Sequence, residues 1–193
     1  MKLIILDRDG VINHDSPDFI KSPAEWIPLP GSLAAIARLN QAGYRVVVAT
    51  NQSGVARGLF DMRTLNAIHQ KMHAAALAVG ADIDAVFFCP HAAAENCDCR
   101  KPKPGMLQAI AKRFATRLKG VPVVGDSLRD LQAGFVAGCV PYLVLTGKGQ
   151  STLATAGLPP GTQVFADLAA VVDHLLGVPG ADPEAHAETE SPP

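Results

Sequence analysis

Aromatic residues are scarce in this chain, at 5% of 193 positions, and neither sign of charge prevails: 17 Lys and Arg stand against 18 Asp and Glu. A formal charge of -1 gives no general attraction to nucleic acid or an anionic membrane, so neither partner is expected. No apolar run approaches the ~20 residues of a membrane span. The basic, then apolar, then small-residue pattern of a secretory leader is missing too, because Asp7 cuts the first apolar run short. These absences predict a cytoplasmic protein. There are only four cysteines, and in a reducing compartment they stay thiols, free to hold metal. Apolar residues, by contrast, make up 48% of the chain, enough for one well-buried domain and not for a disordered chain.

That apolar content falls in runs that alternate with helical spacing. Leu3-Ile-Ile-Leu6 reads as a first strand, followed by an irregular, Pro-containing stretch over residues 13–31. Ser32–Ala42 has helical spacing, Arg45–Thr50 is a strand rich in β-branched residues, and Asp61 can cap a helix running to about Val79. Ala85–Cys89 is a third strand, Gly105–Leu118 a helix, and Val121–Gly125 a fourth strand. Ser127 opens a helix ending near Gly138; Val140–Leu145, a short strand near Val164 and a helix over Asp167–Leu176 complete the series. Such alternation predicts an α/β fold, a doubly wound and mainly parallel sheet with helices on both faces, over residues 1–177. From 178 to 193 the sequence turns to Pro, Gly, Glu, Ala and Ser, and disorder is expected.

Ligands of such sheets bind outside the carboxyl ends of the strands. Three strand ends here supply polar residues: Asp7 and Asp9 after the first, Thr50-Asn51-Gln52-Ser53-Gly54 after the second, Asp126, Ser127 and Asp130 after the fourth. Asp126 and Asp130, four apart at a helix start, can face one side, and with Asp7 and Asp9 they form a carboxylate cage whose repulsion calls for a cation. Arg100 and Lys101 beside this cage point to an anionic substrate, phosphate above all. Each cluster alone would pass for an ordinary turn or cap.

Taken together, Asp7-Arg-Asp9-Gly, Thr50-Asn-Gln-Ser-Gly, Lys101-Pro and Gly125-Asp126-x-x-x-Asp130 resemble the four motifs of the haloacid dehalogenase superfamily of phosphohydrolases. The resemblance implies that Asp7 is the nucleophile, forming an aspartyl-phosphate, and Asp9 the general acid and base. Thr50 and Lys101 would hold phosphoryl oxygens. Mg²⁺ would sit on Asp7, the Asp9 carbonyl and Asp126, with Asp130 in support. A non-catalytic protein would be expected to lack one of these groups, and none is missing.

Cys89-Pro-His91 and Cys97-Asp-Cys99 form a second cluster within the 89–99 loop. A Cys₃His set suits a closed, structural zinc site; a disulfide, disfavoured in a cytosol, and unrelated buried thiols are the alternatives. Cys-Pro-His…Cys-x-Cys-Arg-Lys-Pro-x-Pro-Gly-Met resembles the D-glycero-D-manno-heptose-1,7-bisphosphate 7-phosphatases and their relatives, the histidinol-phosphate phosphatases. That narrower resemblance implies removal of the C7 phosphate in the synthesis of ADP-heptose, a lipopolysaccharide core precursor, by a compact core without a large cap domain. It also implies substrate contacts from Asp15, Asp18, Asn51, Gln52, Ser53, Arg57, Arg100 and position 127, here Ser127. The expected partner is a small phosphorylated sugar and the expected state a monomer. Histidinol phosphate is the alternative substrate. Nucleic-acid 3′-phosphatases share part of the motif set, but they need a basic surface that this composition lacks.

Overall fold

A computed structural model describes residues 1–184. Six strands, β1 (Lys2–Leu6), β2 (Tyr44–Asn51), β3 (Ala85–Cys89), β4 (Pro122–Gly125), β5 (Val140–Val144) and β6 (Gln163–Phe165), form one sheet in the order β3-β2-β1-β4-β5-β6. Every pairing is parallel, so all six carboxyl ends lie on one edge. The order reverses direction at β1, which lies between β2 and β4 and carries Asp7 at its end. That is the switch point where an open α/β sheet leaves a crevice.

Strand β1 has no polar residue beyond Lys2 because both of its faces are covered. Ile4 and Leu6 pack against α1 (Ser32–Gln41), α2 (Met62–Leu77) and α6 (Leu168–Leu175), while Leu3 and Ile5 meet α3 (Gly105–Arg113) and α4 (Leu128–Val136). Asp61 caps α2 by accepting from the Thr64 amide, and Asp167 caps α6 through Ala170. Among the described residues no helix is long and apolar enough to cross a membrane.

The structure departs from the sequence reading at three places. Helix α3 ends at Arg113 instead of Leu118, closed by Thr116 N–H to Ala111 O and Ala115 N–H to Lys112 O, with Ala115 at φ 48. This is a Schellman closure without its usual glycine, so nothing in the sequence announced it. Leu118 is buried all the same, as an anchor of the following turn. Helix α5 (Gly149–Leu153) follows β5 where no helix was expected. Residues 178–184 also depart from the expected disorder: Glu184 N–H donates to Val164 O, and His174 Nδ1 lies 3.1 Å from Ala181 O. The rest of the expected tail, 185–193, lies outside the described residues.

Candidate active site

The ends of β1 and β4 and the loop after β3 bring Asp7, Asp9, Asp126, Asp130 and the Lys101 ammonium to one pocket. Lys101 is 3% exposed, and its Nζ lies 3.2 Å from Asp7 Oδ1, 2.5 Å from Asp130 Oδ1 and 2.6 Å from Ala49 O. Its backbone is held on both sides by Asn51, whose Oδ1 accepts from Lys101 N–H and whose Nδ2 donates to Lys101 O. Asn51 thus braces the lysine from the end of β2. On the far side, Asp126 Oδ2 accepts from the Lys148 amide, and Thr146 Oγ1 donates to Gly10 O. Gly10, at φ 79, and Gly147 leave no room for a Cβ beside the Asp126 carboxylate, so the chain approaches it closely from two loops.

The electrostatics of this cluster are unbalanced. Burial pushes the Asp7 carboxyl up to about 8, with Asp130 and Asp126 adding like charge and Lys101 pulling the other way. Burial, with Asp130 next, pushes Asp126 up to about 7. Burial works against the Asp130 carboxylate as well, yet Lys101 holds it below its ordinary value. One lysine cannot neutralise three buried carboxyls.

Asp9 is built differently. Arg8 Nε and Nη2 reach its Oδ1 at 3.1 and 3.0 Å, Asn13 Nδ2 donates to Oδ1 at 2.8 Å, and Gln52 Nε2 donates to Oδ2 at 2.9 Å. Gln52 also donates to Thr50 Oγ1, so the threonine hydroxyl is oriented by the same amide. Burial opposes charge on Asp9, but Arg8, Asn13 and Gln52 outweigh it and keep the carboxyl below its ordinary value.

A pocket of about 310 Å³ opens over these groups. Asp7, Asp9, Asp15, Thr50, Asn51, Gln52, Ser53, Arg57, Arg100, Lys101, Asp126 and Asp130 all line it, as the sequence reading places them. Asp18 and Ser127 do not. Asp18 is exposed outside the pocket, its carbonyl taken by Lys21 Nζ, and Phe19 at φ 66 turns inward instead, 5.8 Å beneath the Arg57 guanidinium. Ser127 is spent on the fold: its hydroxyl donates to Asp130 Oδ2 at 2.5 Å as α4 begins. From this helix Arg129 joins Asp130 in the pocket lining. Lys148, also in the lining, bridges to Asp15 at 2.5 Å across the mouth. The rule that ligands gather at strand ends could have singled out Lys148 after β5 and Arg129 after β4, whereas Phe19 left no such signal.

Behind Arg100 the second cluster is closed. Cys89, Cys97 and Cys99 are free thiols, with Cys97 Sγ 3.5 Å from each of the others, and His91 Nδ1 lies 3.6 Å from Cys89 Sγ and 3.4 Å from Cys99 Sγ. Four ligands at zinc bond lengths would stand roughly 3.5–3.8 Å apart on a tetrahedron. The cluster fits zinc, and the disulfide alternative falls. Arg100 Nη1 donates to His91 O, which ties the pocket cation to the loop.

The carboxylate cluster passes a similar test for a divalent cation, since ligand oxygens of Asp7, Asp126 and Asp130 all lie within 4.8 Å of one another. A parallel α/β sheet with an aspartate nucleophile candidate, a buried lysine and paired acids at its switch point defines a hydrolase of the haloacid dehalogenase type. Comparison with known families agrees: "HAD-hyrolase-like" matches residues 98–171 and "Polynucleotide kinase 3 phosphatase" residues 2–129. The D-glycero-beta-D-manno-heptose-1,7-bisphosphate 7-phosphatase of Bordetella bronchiseptica is 65% identical over 91% of this chain and 98% of its own. That of Pseudomonas putida is 52% identical over 91% of this chain and 100% of its own. Among solved structures, the D,D-heptose 1,7-bisphosphate phosphatase from B. bronchiseptica complexed with magnesium and phosphate has a TM-score of 0.91 at 64% identity, covering 92% of this chain and 99% of that one. The chain belongs to the family of these heptose bisphosphate phosphatases.

Proposed function

We propose that this protein is a Mg²⁺-dependent phosphatase that removes the C7 phosphate of D-glycero-β-D-manno-heptose 1,7-bisphosphate. The observation that carries the reading is a pocket whose lining holds Arg57, Arg100, Arg129 and Lys148 besides Lys101 and the carboxylate cluster. These cations are more than one phosphate needs, and a bisphosphate can pair with more of them than a monophosphate. Family membership supports the sugar, and the names of the relatives support the β anomer.

Asp7, the Asp9 carbonyl and Asp126 would hold Mg²⁺, with Asp130 in support. The cation supplies positive charge that keeps Asp7 ionised and offsets charge on the phosphoryl oxygens. Asp7 attacks phosphorus in line and forms an aspartyl-phosphate. Lys101 and Thr50 bind the equatorial oxygens from fixed positions, so no reorganisation is needed as charge shifts. Asp9 protonates the departing sugar oxygen, then takes a proton from the water that cleaves the aspartyl-phosphate. Its depressed pKa means that the first proton comes with the ester, whose second ionisation lies near pH 6. The zinc set Cys89, His91, Cys97 and Cys99 leaves no open ligand position and serves to hold the loop.

This chain by itself supplies the proposed nucleophile, acid–base residue, lysine and metal ligands, which supports a monomer as the working unit, and the zinc thiols suit a cytoplasmic setting. The test is steady-state turnover of both heptose bisphosphate anomers and of histidinol phosphate, with ³¹P NMR to locate the phosphate that remains. The β bisphosphate should give the highest kcat/KM and leave a C1 phosphate. Faster turnover of histidinol phosphate would overturn the reading.

A further inference from the structure

Between the nucleophile and the acid–base residue stands Arg8, a side chain that the catalytic scheme leaves unused. It is fully buried and lies outside the pocket lining, so it touches no substrate. Its guanidinium grips Asp9 through Nε and Nη2, gives Gln52 Oε1 a bond of 3.2 Å, and places Nη1 3.2 Å from Nε2 of His69 on α2. His69 is itself buried, and burial together with Arg8 pushes its pKa down to about 4, so the neutral ring presents an acceptor to Nη1. A buried arginine is an expensive way to fill space, since apolar residues of similar volume are often as stable or more so. What it provides here is direction.

We infer that Arg8 is the positioning residue of the acid–base step, with His69 fixing the rotation of its guanidinium and the fork in turn fixing the aim of the Asp9 carboxylate. His69 takes one edge of the planar group, Gln52 shares Nη2, and the remaining edge can meet Asp9 in only one orientation. Gln52 closes the circuit by donating to the other Asp9 oxygen. Asp9 is thereby held from β1, β2, α2 and, through Asn13, the segment after Gly10.

This rests on Asp9 acting as proposed above, and the consequence is specific. A sugar alkoxide cannot leave without a proton, whereas an acidic phenol can. Loosening the clamp should therefore slow the departure of an alkoxide far more than that of a phenolate, whereas cleavage of the aspartyl-phosphate, common to both esters, should slow equally. The test compares kcat/KM, which reports the first of these steps, on the heptose bisphosphate and on p-nitrophenyl phosphate for His69→Leu, His69→Gln and Arg8→Lys, with zinc content and circular dichroism as checks of folding. Arg8→Lys, which loses the fork, should lower kcat/KM on the sugar about 100-fold, the low end of a general-acid contribution. On the aryl ester it should cost only a few-fold. His69→Leu should show the same contrast at about tenfold, and His69→Gln, whose amide oxygen can accept from Nη1, should recover most of it. Equal losses on both esters, or no loss in folded His69→Leu, would overturn the inference. No turnover of the bisphosphate by the unaltered protein would instead overturn the substrate, and any alkyl phosphate it does hydrolyse then serves in the same comparison.

Discussion

Asp7 sits among like charges, and its proposed roles run against its surroundings. As the proposed nucleophile it must be ionised, yet burial without a cation favours the protonated form. Asp7→Asn should abolish turnover, because an amide neither attacks phosphorus nor binds Mg²⁺ well. The same change removes a buried acid, so metal-free Asp7→Asn protein should melt at or above the parent at pH 8 in EDTA. Residual phosphatase activity in that folded variant would sink the nucleophile assignment. At this scale the sequence was most legible where an apolar run ends in an acid, as at Asp7 and Asp126, since strand direction sets their place, and at Asp130, which helical spacing puts on the same side as Asp126. It was least legible where an irregular segment decides which neighbour turns inward, so that Phe19 lines the pocket and Asp18 lies outside it. The burial of Arg8 was hidden because arginine is almost always an exposed residue.

Two elements carry their own tests. The zinc loop delivers Arg100 and Lys101 from its last ligand, and Gly105 lets α3 begin against the Asp98 carbonyl, where a Cβ would collide. Cys97→Ser or zinc removal should sharply lower kcat/KM for the bisphosphate, because Arg100 and Lys101 start from a loosened backbone. Small aryl esters, which make no sugar contacts, should suffer less, and Mg²⁺ affinity should change little. One zinc per chain by elemental analysis, then unchanged bisphosphate kinetics once it is stripped, would reduce the loop to a stability element. At the end of α3, Ala115 holds a left-handed conformation on an exposed turn. Ala115→Gly should raise stability by about 1 kcal/mol in urea unfolding, with activity unaffected. The capped starts of α2 and α6 were readable from Asp61 and Asp167; this helix end was not, because the closing residue is an alanine.

For the whole molecule, the raised carboxyls translate into a pH-dependent stability. The fold favours Asp7 and Asp126 in their protonated forms, so their contribution is complete below the ordinary carboxyl value of about 4. It is lost as the pH climbs through about 7 for Asp126 and about 8 for Asp7. Metal-free protein should therefore melt at progressively lower temperature from pH 5 to 8.5. The gain in Tm on adding Mg²⁺ should be larger at pH 8 than at pH 6, since at pH 6 the cation must first displace protons. An equal gain at both would contradict the carboxylate cluster as the site. The α/β class, the strand series and the helical cover of both sheet faces were all legible from apolar runs and their spacing. The strand order was not, because it is set by pairings between segments far apart in the chain. That order has a consequence for synthesis. Asp7 precedes Lys101, Asp126 and Asp130 in the chain, yet its amide bonds to Val124 O and its carboxylate meets groups that all belong to later segments. A growing chain therefore carries Asp7 well before the groups that surround it, and the site assembles only when β4 pairs with β1.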